Sequence, residues 1–74
     1  MIVSEENYLI GFGIHIRKLR EKKNMSQRDL AMDCNVPQSQ IGRIERAEIN
    51  TTLKTIIKIA NALDVKPEEL LNFQ

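Results

Sequence analysis

The stretch SQRDLAMDCNVPQSQIGRIE, residues 26–45, decides how this chain folds. Ser26 can accept a hydrogen bond from a free N–H of a first helical turn, so it predicts a helix start. Leu30, Ala31 and Cys34 follow at helical spacing and mark an inner face. Asn35 is placed to end that helix, because asparagine tolerates the left-handed conformation better than other non-glycine residues. Val36 is expected to dip into the core. Pro37 stands at or just before the next helix, where its missing N–H costs little. Ile41 and Ile44 give this next helix one apolar stripe. Two short helices separated by a tight turn form a helix-turn-helix. Their close crossing favours a small residue such as Ala31. Gln38, Ser39 and Gln40, with Arg43 about one turn later, face outward and have no apolar task.

Working outward, the first helix is predicted from Glu5 or Asn7 to Lys23, with Phe12, Ile16 and Leu19 recurring on one face. Gly11 and Gly13 weaken its first half by about 1 kcal/mol each relative to alanine. Asn24 repeats the left-handed exit. Thr51 or Thr52 caps a fourth helix, whose expected inner residues are Leu53, Ile56, Ile57, Ala60 and Leu63. Lys66-Pro67-Glu68-Glu69 opens a short fifth helix, with proline in the first turn and acids at the positive end. Nothing alternates in the manner of a strand. The expected fold is a single all-α domain of five helices over residues 1–74.

Composition narrows the function. Apolar residues make up 42% of the chain and charged residues 28%. With Tyr8, Phe12 and Phe73 as the only aromatics, the core must be aliphatic. A single cysteine, Cys34, excludes an internal disulfide and fits a reducing cytosol. No apolar run approaches the roughly 20 residues of a membrane span, and the N-terminus does not resemble a secretion signal. A cytoplasmic location is expected. His15 and Cys34 alone cannot make a zinc site. Cys34 is expected in the core and His15 at the surface of the first helix. No nucleophile–base–acid set and no glycine-rich phosphate loop can be assembled. The reading is therefore a non-enzyme without metal or cofactor. Net charge is only +1. Yet residues 14–31 hold Arg17, Lys18, Arg20, Lys22, Lys23 and Arg28 against Glu21 and Asp29, a lopsided field that can face an anionic partner.

The outward residues of the third helix suit duplex DNA. A helix in the major groove meets base edges with its N-terminal side chains. Glutamine can pair its donor and acceptor with adenine, and arginine can grip guanine or a phosphate. Gln27, at the start of the second helix, is expected near Gln38, bonding a phosphate and holding Gln38 in its reading orientation. The helix N-termini also direct N–H groups at phosphates.

Phe12-Gly13, Ile16, Leu19-Arg20-Glu21, Met25-Ser26-Gln27, Leu30-Ala31, Val36, Ile41, Ile44-Glu45-Arg46, Ile59-Ala60 and Ala62-Leu63 resemble the pattern of the phage-repressor-like helix-turn-helix family, the Cro/cI or XRE-type group. The likeness runs from about residue 9 to residue 71. The loop ERAEINTTLKT, residues 45–55, also looks like that of restriction–modification controller proteins. The resemblance implies a lambda-repressor-like domain. Gln38, Ser39 and Gln40 would face bases, and Arg43 a base or phosphate. Gln27, Arg28, Arg46 and Asn50 would serve the DNA backbone. Arg20 and Glu45 would form an internal ion pair tying the first helix to the third. Ala47 departs from the family's glycine, Glu48 from a common base, Thr51 from a frequent proline and Gly42 from a common serine. Ala47 means either a different helix end or some strain, and Glu48 would repel phosphate if it faced DNA. Gly42 is read as merely tolerated.

The function expected is sequence-specific binding of double-stranded DNA by a transcriptional regulator. One copy offers too few base-reading side chains for tight selection. A homodimer would read a near-palindromic operator with half-sites about 34–36 Å apart. Its contact is expected on the fifth helix at Leu70, Leu71 or Phe73, extending to exposed parts of the fourth. An alternative is an antitoxin that also binds a toxin protein, with the fifth helix and Phe73 as its spare apolar surface. RNA binding ranks below both, since Tyr8 is the sole aromatic that looks available for stacking.

Overall fold

The computed structural model describes residues 2–73, so the expected domain limits at Met1 and Gln74 lie outside it. Five helices follow in order: α1 (Glu5–Lys22), α2 (Gln27–Cys34), α3 (Gln38–Glu45), α4 (Leu53–Leu63) and α5 (Pro67–Leu70). The described residues contain no strand.

Local chemistry sets the starts. The Asn7 N–H donates to Ser4 Oγ at 3.3 Å, which begins α1. Ser26 and Asp29 bond each other's backbone N–H groups in a reciprocal cap on α2. Thr52, not Thr51, caps α4 by accepting from the Thr55 N–H at 3.1 Å. Pro67 is the first residue of α5.

The exits share one device. Asn24, Asn35, Ala47 and Asp64 all adopt left-handed backbone, with φ between 56° and 59°. In each case the following residue's N–H reaches back five positions: Met25 to Arg20, Val36 to Ala31, Glu48 to Arg43 and Val65 to Ala60. This double-bonded exit satisfies carbonyls that a helix end would otherwise leave open. Asn24 and Asn35 take the conformation expected of them. Ala47 takes it without a side chain suited to it, so of the two readings open for this residue the strained one holds.

α2 packs on α3 and α4, α1 on α3 and α5, and α4 on α5. Ile16, Leu30, Ile41, Ile59, Leu63 and Leu70 are fully buried where these helices meet. Each such side chain contributes about 1.5–3 kcal/mol relative to exposure.

The expected stripe of α4 needs correction. Leu53 is 68% exposed and Ile57 is 42% exposed, while Thr55, Ile59, Ala60 and Leu63 face inward. Apolar residues surround most of LKTIIKIANAL, so periodicity alone did not single out the buried face. Neighbouring helices chose it.

Gly11 and Gly13 weaken α1 intrinsically, but both are needed by its neighbours. A Cβ on Gly13 would lie 2.6 Å from the carbonyl oxygens of Ile44 and Glu45, so glycine lets α1 press against the end of α3. A Cβ on Gly11 would strike the Phe73 ring at 2.5 Å. That ring folds back onto α1, 4.7 Å from Tyr8 and 5.6 Å from His15 between centroids. His15 lies at the surface of α1 as expected, partly covered by this ring, with Nε2 2.9 Å from the Glu69 carbonyl oxygen.

Candidate nucleic-acid interface

The interface is built from its support outward. Arg20 donates from Nε and Nη2 to the two oxygens of Glu45 at 2.7 and 3.0 Å, a side-on, two-bond pair between α1 and α3. The Glu45 hydrogen bond holds the Arg20 guanidinium more firmly protonated than usual. Its Nη1 donates to the Met25 carbonyl at 2.8 Å, in the turn before α2. Gln27 donates from Nε2 to Glu45 Oε1 at 3.1 Å. Three helices are thus tied at one carboxylate. Ile41 and Ile44 complete the inward side of α3.

The outward side is a shallow polar concavity lined by Gln27, Gln38, Ser39, Gly42, Arg43 and Arg46. Gln38, Ser39, Arg43 and Arg46 are exposed there. Pro37 precedes α3 without a side-chain cap, so no side chain covers the first N–H groups of the helix. The face therefore combines amide and hydroxyl groups, two guanidinium groups and open backbone donors. That mixture suits base edges and phosphates together.

Other residues expected here lie elsewhere or point differently. Gln40, about 100° further round α3 than Ser39, is half-buried on the flank and does not line the concavity. Arg28 lines an adjoining depression with Met32, Pro37 and Gln38. Asn50 sits with Val3, Tyr8 and Leu9 near the start of α1. Gln27 reaches Glu45, not Gln38, so it braces the base of α3 instead of orienting Gln38. Gly42 also has a local role. A Cβ there would approach Arg46 Nη1 at 3.0 Å and Gln27 Oε1 at 3.4 Å, so glycine leaves room for both to lie over α3.

One pair was not foreseen. Arg46 donates from Nε and Nη2 to Glu48 at 2.8 and 3.2 Å. The hydrogen bond from Arg46 holds the Glu48 carboxyl below its usual range, with a further pull from the Arg43 charge. The two residues are only two apart in sequence, outside the helical i,i+4 rule. The left-handed turn at Ala47 brings them together. The clue available in the sequence was the odd acid at 48.

The remaining expected contacts divide. Leu70 is 0% exposed and packs into the core of the chain, so its side chain has no surface to give a second copy. Leu71 is 41% exposed. Phe73 is partly buried against Tyr8, Phe12 and His15. Tyr8 donates its hydroxyl to the Leu71 carbonyl at 2.6 Å, so it too is engaged. Cys34 is buried, and desolvation pushes its thiol up to about 11. Among the described residues no group of His, Cys, Asp or Glu could hold a metal, and no helix is long and apolar enough to cross a membrane.

Comparison with known proteins agrees with this architecture. A family model described as helix-turn-helix matches residues 16–70. The chain is 43% identical over 68 residues to the control protein C.BamHI of Bacillus amyloliquefaciens, covering 90% of this chain and 84% of that protein. It superposes with a TM-score of 0.83 and 42% identity on the restriction–modification controller protein C.AhdI from Aeromonas hydrophila, covering 84% of this chain and 94% of that one. The biofilm master regulator SinR, solved in complex with DNA, matches with a TM-score of 0.77 and 31% identity over 82% of this chain and 98% of that one. These matches extend well beyond α2 and α3, and they share the helical frame that supports the polar concavity. The chain belongs to the helix-turn-helix family and is a DNA-binding transcriptional regulator, not an enzyme.

Proposed function

We propose that the chain reads a near-palindromic operator as a homodimer, with α3 of each copy in the major groove, and acts as a controller of a restriction–modification operon. One observation carries the reading. Gln38, Ser39, Arg43 and Arg46 share the exposed face of α3, while Ile41, Ile44 and Glu45 lock the opposite face into the body. Gln38 and Ser39 then read base edges, and Arg43 a base or a phosphate. Arg46 grips phosphate, with Arg28 and Asn50 on the flanking backbone. The controller assignment is supported by the names borne by C.BamHI and C.AhdI. The second copy docks on Leu71 and on the exposed α4 side chains Leu53 and Ile57. Phe73, the side chain suggested for a toxin partner, packs against α1 and stays partly exposed. The protein is placed in the cytoplasm, at the nucleoid when DNA-bound.

The test is selection of bound duplexes from a random pool, followed by gel-shift of Gln38→Ala and Arg43→Ala. Gln38→Ala is expected to lose about 1–3 kcal/mol of discrimination at one position of the half-site; Arg43→Ala does the same if it reads a base, and weakens binding evenly across sequences if it holds a phosphate. Wild-type affinity and selectivity in both variants would sink the assignment of α3. Sedimentation showing only monomer, free and on DNA, would remove the homodimer.

A further inference from the structure

We propose that Glu48 is a built-in competitor for DNA phosphate: its carboxylate occupies the Arg46 guanidinium in the free protein, so duplex binding exchanges carboxylate for phosphate. This rests on the DNA reading of the α3 face given above.

Three observations carry it. First, the contact is two-bonded and open to solvent, with the Arg46 and Glu48 side chains 57% and 52% exposed. A phosphate can reach that arginine without moving the core. Second, Arg46 lines the same concavity as Gln38, Ser39 and Arg43. The guanidinium that Glu48 neutralises therefore belongs to the interface.

Third, Glu48 breaks a pattern within the chain. At the other three left-handed exits the next residue is Met25, Val36 or Val65, each partly buried against the core. An apolar residue there commonly packs back on its helix. After Ala47 the equivalent place holds an exposed acid. Its backbone makes the same return bond, to the Arg43 carbonyl at 2.8 Å, so the turn delivers the carboxylate to the arginine face. The side chain does nothing for packing.

The consequence is a lower affinity for any duplex, because phosphate contacts carry no sequence information. The loss is the same for every sequence and cancels from the difference between sites, so it lowers occupancy of operator and other DNA alike and leaves the choice between them to base-edge contacts by Gln38 and its neighbours. Glu48 acts through Arg46 and is a positioning residue.

The experiment titrates a labelled random-sequence duplex with the full chain, Glu48→Gln, Arg46→Ala and the double variant, over a range of salt. Glu48→Gln is expected to bind on the order of fivefold tighter at about 0.15 M salt, with a salt slope steeper by about one. That gain should largely vanish when Arg46 is already alanine. Unchanged affinity in Glu48→Gln overturns the proposal. So does an equal gain with and without Arg46, since Glu48 would then be a general negative charge. Should the wild type and all three variants ignore duplex DNA together, the DNA reading itself fails and this proposal falls with it. Circular dichroism melting of each variant separates a binding change from a folding change.

Discussion

Two arginine–glutamate pairs stand at the end of α3, with similar geometry and opposite surroundings. Arg20 meets Glu45 at 2.7 Å with side chains 10% and 3% exposed, whereas Arg46 meets Glu48 at 2.8 Å with both more than half exposed. The first is fixed by what surrounds it. Glu45 also accepts from Gln27, Arg20 also donates to Met25, and Gly13 brings the α1 backbone alongside. Removing either charge strands the other away from water. The second pair is wet and screened, so either partner can leave for another ion. Distance does not separate a structural pair from an exchangeable one. Burial and the remaining hydrogen bonds do.

The contrast can be broken at the buried pair first. Glu45→Ala should cost about 3–5 kcal/mol, measured by urea unfolding, because it leaves a buried guanidinium unpaired. For so small a domain that is a large share of total stability. A loss under about 1 kcal/mol would place this pair with its exposed neighbour.

Gly13→Ala tests whether close approach of α1 is what buries that pair. The new methyl group meets two backbone carbonyls, which cannot rotate away. A loss of about 1–3 kcal/mol is expected, toward the upper end. A neutral result would mean that α1 and α3 can separate without cost.

Ala47 joins the two regions. At φ 59° its methyl group is strained, and Ala47→Gly should stabilise by about 0.5–1 kcal/mol once the added freedom of the unfolded chain is subtracted. Thermal melting would show a small rise. A fall would mean that the alanine conformation carries no strain. At the far end of the scale, Glu48→Gln should leave the melting curve where it is, its effect being confined to DNA binding. A loss approaching that of Glu45→Ala would erase the distinction between the pairs.

Most of the frame was legible in the residues themselves. Ser26, Asn35 and Pro37 are local signals, and each acts through bonds to its own or adjacent turns. Helix starts, the left-handed exits at Asn24 and Asn35, and the inner stripe of α3 follow from such short-range chemistry. Less legible were features that need a partner from elsewhere in the chain. The buried side of α4 depended on which of several apolar faces α2 and α5 covered. Leu70 and Phe73 read as free apolar residues until the C-terminal segment folded back against the rest of the chain.

The sequence by itself determined five helices, a tight turn between α2 and α3, and a polar run on the helix that follows the turn. Periodicity and capping act over a few residues, and those residues are written side by side. Only the tertiary structure decided that Gln27 braces Glu45, that Gly13 admits the end of α3, and that Glu48 holds Arg46. Each of those contacts depends on where side chains point once helices have packed or the backbone has turned left-handed, and neither spacing nor composition records that direction.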